Sequence, residues 1–161
     1  MRTTRRLLIV AAVLTRVACL EGVAQGTLLF LNSAATRVAT PEGAKITSDL
    51  GYRIELVWGT SETTITNGGH YASLVRPIPG IFNGGIVTLP GTAAGDRPWI
   101  TIRIWDTKGG TAMTWEEAEA WMGSTPLIAG QTTWQLAIGL GGRRREGEEA
   151  APPPTLAAAG F

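Results

Sequence analysis

Trp99, Arg103 and Trp105 are the side chains whose types and spacing could do chemistry together, within Pro98-Trp99-Ile100-Thr101-Ile102-Arg103-Ile104-Trp105-Asp106. Side chains alternate across an extended chain, so these three and Thr101 share one face while Ile100, Ile102 and Ile104 take the other. Flat indoles flanking a guanidinium, a multiple hydrogen-bond donor, suit a sugar ring and its hydroxyls. That makes Trp99, Arg103 and Trp105 candidate ligand-binding residues. A competing assignment is burial, because the six tryptophans of the chain each carry a large apolar area. Trp58, Trp115, Trp121 and Trp134 fit burial directly. A helix that needs a sheet face to cover favours burial of Trp99 and Trp105 as well.

Two carboxylates, Glu55 and Asp106, could act as the acid and base of a glycan hydrolase, a reaction that needs a pair of them. Simpler roles are an exposed strand glutamate for Glu55 and a turn-forming aspartate before Lys108-Gly109-Gly110 for Asp106. Other chemistries lack their signatures. There is no Gly-x-Ser-x-Gly elbow, no phosphate-binding glycine run before Lys108, and no third glycine after Gly139-x-Gly141. The single histidine, His70, beside a glycine turn, reads as a surface residue and cannot build a multi-histidine zinc site. One carboxylate at Asp106 falls short of the oxygen count of a calcium site. No catalytic residue, metal or cofactor is expected, and a fold by itself argues for no activity.

The elements that must position these residues read as mainly β. The expectation is an antiparallel β-sandwich, jelly-roll or Ig-like, with one short helix packed on a sheet. The organising strand is 98–106, rich in β-branched and aromatic residues. Gly26–Ser33 is apolar on both faces and belongs inside the sandwich or under a loop. Tyr52–Trp58 alternates cleanly, a short strand is expected at Lys45–Ser48, and further strands at 71–76, 86–89 and 131–140. In the last of these Trp134, Leu136 and Ile138 point inward. Asn67-Gly68-Gly69 and Asn83-Gly84-Gly85 read as turns, Pro77 and Pro79 as an edge or bend, and 90–96 as a loop. Thr114 caps a helix with Glu117 completing a capping box; Trp115, Ala118, Trp121 and Met122 pack on the sheet, and Gly123 ends it.

The two ends differ from the 25–140 domain. Arg2, Arg5 and Arg6, then the apolar run Leu7–Leu14, then Gly22-Val23-Ala24 have the layout of a signal peptide over 1–24, cleaved between Ala24 and Gln25. It is too short to remain as a membrane span. The chain holds 14 Lys+Arg and 13 Asp+Glu; without residues 1–24 the count is 10 against 12, which suits no nucleic-acid partner. The one cysteine, Cys19, lies in this leader. A lipid-modified Cys19 is the alternative, opposed by Arg16 three residues before it. Residues 141–161 hold a basic run, an acidic run and Pro152-Pro153-Pro154, and read as a disordered tail.

GTLLFLNS after the leader, Gly80-Ile81-Phe82-Asn83-Gly84-Gly85-Ile86-Val87, Ile104-Trp105-Asp106 and Thr114-Trp115-Glu116-Glu117-Ala118 resemble exported bacterial proteins of the PEP-CTERM type. The resemblance covers most of residues 1–140. It implies export from a Gram-negative cell, an extracellular or outer-surface location (the periplasm being the other destination), and association with exopolysaccharide or envelope proteins. It implies no catalytic residues. The tail departs from the family's sorting segment: Pro152–Ala157 lacks the glutamate of the Pro-Glu-Pro motif, and no apolar span follows before Phe161. A truncated or degenerate segment is the expectation. The reading as a whole is an exported, non-enzymatic surface or matrix protein, with a carbohydrate-binding module as the alternative and a glycan hydrolase as a more distant one.

Overall fold

The structure, a computed structural model, describes residues 25–47, 49–65, 67–75, 77–122, 129–142 and 149–161. The leader through Ala24, including Cys19, therefore lies outside the described residues, as do Gly123 and the charged run 143–148. Strands β1 (Gln25–Leu31), β2 (Tyr52–Gly59), β3 (Asn67–Leu74), β4 (Phe82–Ala93), β5 (Trp99–Asp106) and β6 (Ala129–Gln135) form the sheet, and the helix α1 (Trp115–Met122) follows β5. The six strands pair antiparallel in the order β1-β4-β3-β2-β5-β6. The mostly β, sandwich-like fold expected from the alternation is what forms.

One sheet makes the sandwich by curling. β3 joins the two halves: Tyr71 and Ala72 pair with β2, whereas Ser73 and Leu74 pair with β4. The halves face each other across one core, with Leu28 and Phe30 of β1 and Phe82, Val87 and Leu89 of β4 on one side. Ile54, Leu56 and Trp58 of β2 and Ile100 and Ile102 of β5 lie on the other. Period-two alternation is the cause, since each strand gives alternate residues to the dry interior. The Trp58 indole N–H donates to Pro90 O at 3.1 Å, so even this large side chain is buried with its polar atom satisfied.

Several boundaries differ from expectation. Asn83-Gly84-Gly85 makes no turn: β4 runs through it, and the register with β1 shifts between Leu29↔Ile86 and Leu31↔Asn83. The glycines form a bulge, where Gly85 has φ 73° and a Cβ on Gly84 would press on the Phe30 ring. Asn67-Gly68-Gly69 likewise opens β3, and a Cβ on Gly68 would collide with Val57. The Lys45–Ser48 strand reduces to a bridge between Ala39 and Lys45, with Ser48 outside the described residues. β6 ends at Gln135, which leaves Leu136 in the core but turns Ile138 outward.

The tail is the largest correction. Residues 149–161 are ordered against the core, with Leu156 and Ala159 fully buried. Leu29 N–H donates to Pro154 O at 2.9 Å, and the Trp134 indole N–H donates to Ala159 O at 3.1 Å. Phe161 packs on Trp134 and Phe82, with ring centroids 5.3 and 6.5 Å away. The prolines and alanines that suggested disorder close the gap between the two ends of the curled sheet. A few apolar side chains suffice because the sheet already presents an apolar seam.

Candidate functional site

The outer face of β2 and β5 carries the residues with chemical potential. Register places Glu55 opposite Arg103 and Arg53 opposite Trp105, while β3 sets Tyr71 beside Glu55. α1 lies over this face. Its capping box is formed as expected: Thr114 Oγ1 accepts from Glu117 N–H at 3.2 Å, and Glu117 Oε2 accepts from Thr114 and Met113 N–H at 2.9 and 2.7 Å. Trp115 and Ala118 are buried against Trp105 and Ala112. Trp121 and Met122 are instead 37% and 43% exposed, since only the start of α1, Trp115 and Ala118, packs on the Trp105 cluster.

Trp105 is fully buried, its indole N–H donates to Ala112 O at 3.0 Å, and its ring meets Trp115 edge-on at 5.9 Å. It cannot stack on a sugar. Trp99, partly buried, sits six residues away along β5, about 20 Å at strand rise. The three-residue platform of Trp99, Arg103 and Trp105 is therefore not assembled, and burial beneath the helix accounts for Trp105.

Arg103 is held between carboxylates. Its Nη1 lies 3.7 Å from Glu55 Oε2 and 3.9 Å from Glu116 Oε1, and its guanidinium carbon lies 5.3 Å from the Trp115 ring centroid. Glu55 is buried, not exposed as expected. Burial pushes its carboxyl above the ordinary 4.5, while Arg103 acts in the opposite direction; Glu116 raises it further, and the Gly69 N–H and Tyr71 hydroxyl lower it. Arg53 braces the rim, donating from Nη1 to Met113 O at 2.8 Å and stacking over Tyr71 at 4.9 Å.

The Glu55–Asp106 pair fails on geometry. Tyr52 pairs with Asp106 and Glu55 with Arg103, so alternation sends the two carboxylates to opposite faces of the sheet. Asp106 instead accepts from Lys108 N–H at 2.8 Å and lies 3.3 Å from Lys108 Nζ, the turn-forming role. Glu55 and Glu116, the other carboxylates of the outer face, are both drawn to the one nitrogen Arg103 Nη1. His70 is half-buried, its ring 5.4 Å from that of Trp58. Among the described residues no three of His, Cys, Asp and Glu are grouped to hold a metal ion.

The sequence reading missed the opening on the other face. A cleft of about 380 Å³ lies where the core faces of β2, β5 and β6 separate from the segment 36–46. Tyr52, Ile102 and Ile104 form one wall with Gly130 and Thr132, Phe161 closes one side, and Arg37, Val38 and Ile46 form the other wall. Asn32 makes that wall rigid. Its buried side-chain amide donates to Thr36 O and Gly80 O, each at 2.8 Å, and its Oδ1 accepts from Phe82 N–H at 2.8 Å. Val38 and Ile46 are tied to Gly80 by further backbone bonds. Burial, with the charges of Asp106 and Glu42, raises the Tyr52 phenol and keeps it protonated at neutral pH. A ring, hydroxyls and a guanidinium thus line an otherwise apolar recess. The segment 36–46 had no periodic signal, and Asn32 was one polar residue at a strand end.

Among the described residues no helix is long and apolar enough to cross a membrane. Set against known proteins, the chain matches no family model, no curated protein and no solved structure.

Proposed function

We propose that this protein is an exported, non-enzymatic β-sandwich of the cell surface or extracellular matrix, in keeping with its resemblance to PEP-CTERM-type proteins. The observation that carries the non-enzymatic part is that the reactive side chains are engaged by one another. Glu55 and Glu116 are held by Arg103, Asp106 by Lys108, and Trp105 by Ala112. Export rests on the basic and apolar leader before Gln25. The test is N-terminal mass spectrometry of the protein from fractionated cells. A chain beginning at Gln25 in the envelope or medium is expected; an intact Met1 chain in the cytoplasm overturns the reading.

The cleft favours a second reading, a carbohydrate-binding module, with the site moved from the outer face to Arg37, Tyr52, Thr132 and Phe161. Stacking on an aromatic ring with a few convergent polar groups is the usual way to hold a sugar. Trp134, 5.3 Å from the Phe161 ring, reports on this site. Titration with exopolysaccharide fragments, followed by tryptophan fluorescence, should saturate and lose its response in Tyr52→Ala. A flat titration across acidic and neutral glycans eliminates this second reading.

A further inference from the structure

The sheet has two edges, and the chain treats them differently. Along β1 the outer edge is closed by the chain itself: Leu29 N–H donates to Pro154 O, and Thr27 and Gly141 exchange bonds of 3.0 and 2.9 Å. β6, at the other edge, pairs with β5 alone among the described strands. No described backbone group bonds to its far side over Ala129–Trp134. Sheet edges that stay single are blunted by charges, prolines or bulges. β6 reads Ala-Gly-Gln-Thr-Thr-Trp-Gln, with no charge and no proline, and its register with β5 runs from Ala129 to Gln135 without a shift. Residues 130–133 are exposed.

We propose that β6 pairs antiparallel with β6 of a second copy of this chain, about a two-fold axis at Thr132. Such an isologous pair sets each residue against its mirror position: Thr132 against itself, Gln131 against Thr133, Gly130 against Trp134. Any charge near the centre would face its own copy at about 5 Å and repel it. The neutrality of β6 meets that condition, whereas a charged partner strand would call for opposite charge here. Gly130 leaves room for the partner's indole, because a Cβ there would meet nothing within 4 Å. Gln131 and Thr133 can hydrogen-bond across the pair. Two six-stranded sheets become one continuous sheet, and the two clefts, each bordered by Ala129–Thr132, lie side by side. Seven residues a side make a small interface, so dissociation falls at micromolar concentration or weaker.

Sedimentation equilibrium of the purified chain from about 1 to about 500 μM tests this. The wild type should pass from monomer to dimer, with amide exchange slowing at 130–134 as concentration rises. Thr132→Lys and Thr132→Glu, substitutions at an exposed position, should each remain monomeric while keeping the wild-type circular dichroism. Mixing the two variants should restore the dimer, since Lys then faces Glu. A wild type that stays monomeric throughout, a dimer indifferent to both substitutions, or a mixture that fails to recover overturns the proposal. Slowed exchange at residues other than 130–134 does the same.

Discussion

The two faces of the β2–β5 pair are built from the same eight register steps and do opposite things. Inward go Ile54, Leu56, Ile100 and Ile102, all buried in one continuous apolar core. Outward go Arg53, Glu55, Thr101, Arg103 and Trp105, which α1 covers in part. On the inner face any well-fitting apolar residue serves, since the hydrophobic effect is non-directional. The outer face depends on specific partners: Thr101 with Thr133 at 2.7 Å, Trp105 with Ala112, Arg103 with Glu55. One face is specified by polarity alone and the other by register. A buried polar or amphipathic position is costly only when its partner is missing.

Trp105→Ala breaks this comparison most severely. Trp105 lies on the outer face yet is the largest fully buried side chain among the described residues, and its loss leaves Ala112 O unpaired beneath a cavity. A loss of about 3–5 kcal/mol is expected from urea unfolding. Ile102→Ala, on the inner face of the same strand, should cost about 2–5 kcal/mol. The two differ in their local consequence. Trp105→Ala removes the surface on which Trp115 and Ala118 rest, so amide protection in α1 should collapse selectively. Ile102→Ala should lower protection across all strands together. Equal loss of protection in α1 and the sheet in both variants would show that the outer cluster has no separate cooperativity.

Leu156→Ala carries the comparison to the C-terminal segment, where an intermediate effect is expected. A residue in a disordered tail contributes almost nothing to stability, within about 0.5 kcal/mol of zero on substitution. Leu156 is fully buried against the core, so about 2–3 kcal/mol should be lost in the same unfolding experiment. Wild-type stability in this variant would return residues 149–161 to the status that their composition suggested.

That segment shows where the sequence stops being legible. Alternation named the inner face of β5 correctly, because period two is a property of neighbours along one strand. The capping box of Thr114 and Glu117 was legible for the same reason, being local. Nothing local, however, says that Leu156 meets Leu29's strand, or that Glu55 falls opposite Arg103 and not Asp106. Those are facts of register and closure, set by pairing over long sequence separations. The glycine pairs at Gly68-Gly69 and Gly84-Gly85 were misplaced because a bulge and a turn use the same residues. The cleft was invisible, since its wall at 36–46 is held by Asn32 through bonds to Thr36, Gly80 and Phe82. No periodicity marks such a wall.

The smallest effect sharpens the comparison by acidity. Burial raises the Glu55 carboxyl above its ordinary 4.5, so between that value and the folded-state value the native protein binds more proton than the unfolded chain does. Stability contributed by this group is therefore fully present below about pH 4.5 and is lost as pH rises through the folded value. The slope cannot exceed one proton, roughly 1.4 kcal/mol per pH unit, and it applies only across that window. Unfolding free energy measured from acid to neutral pH should show this decline in the wild type and lose it in Glu55→Gln. Arg103 acts against the shift, so removing the guanidinium should move the decline to higher pH; Arg103→Leu is the variant to measure. A decline that stays in place without Arg103 would mean that the 3.7 Å pairing contributes nothing to the charge state of Glu55. The outer face would then rest on the packing of Trp105 and Trp115 and on its remaining bonds, Thr101 to Thr133, Trp105 to Ala112 O and Arg53 to Met113 O, with the Arg103–Glu55 pair a passenger on them.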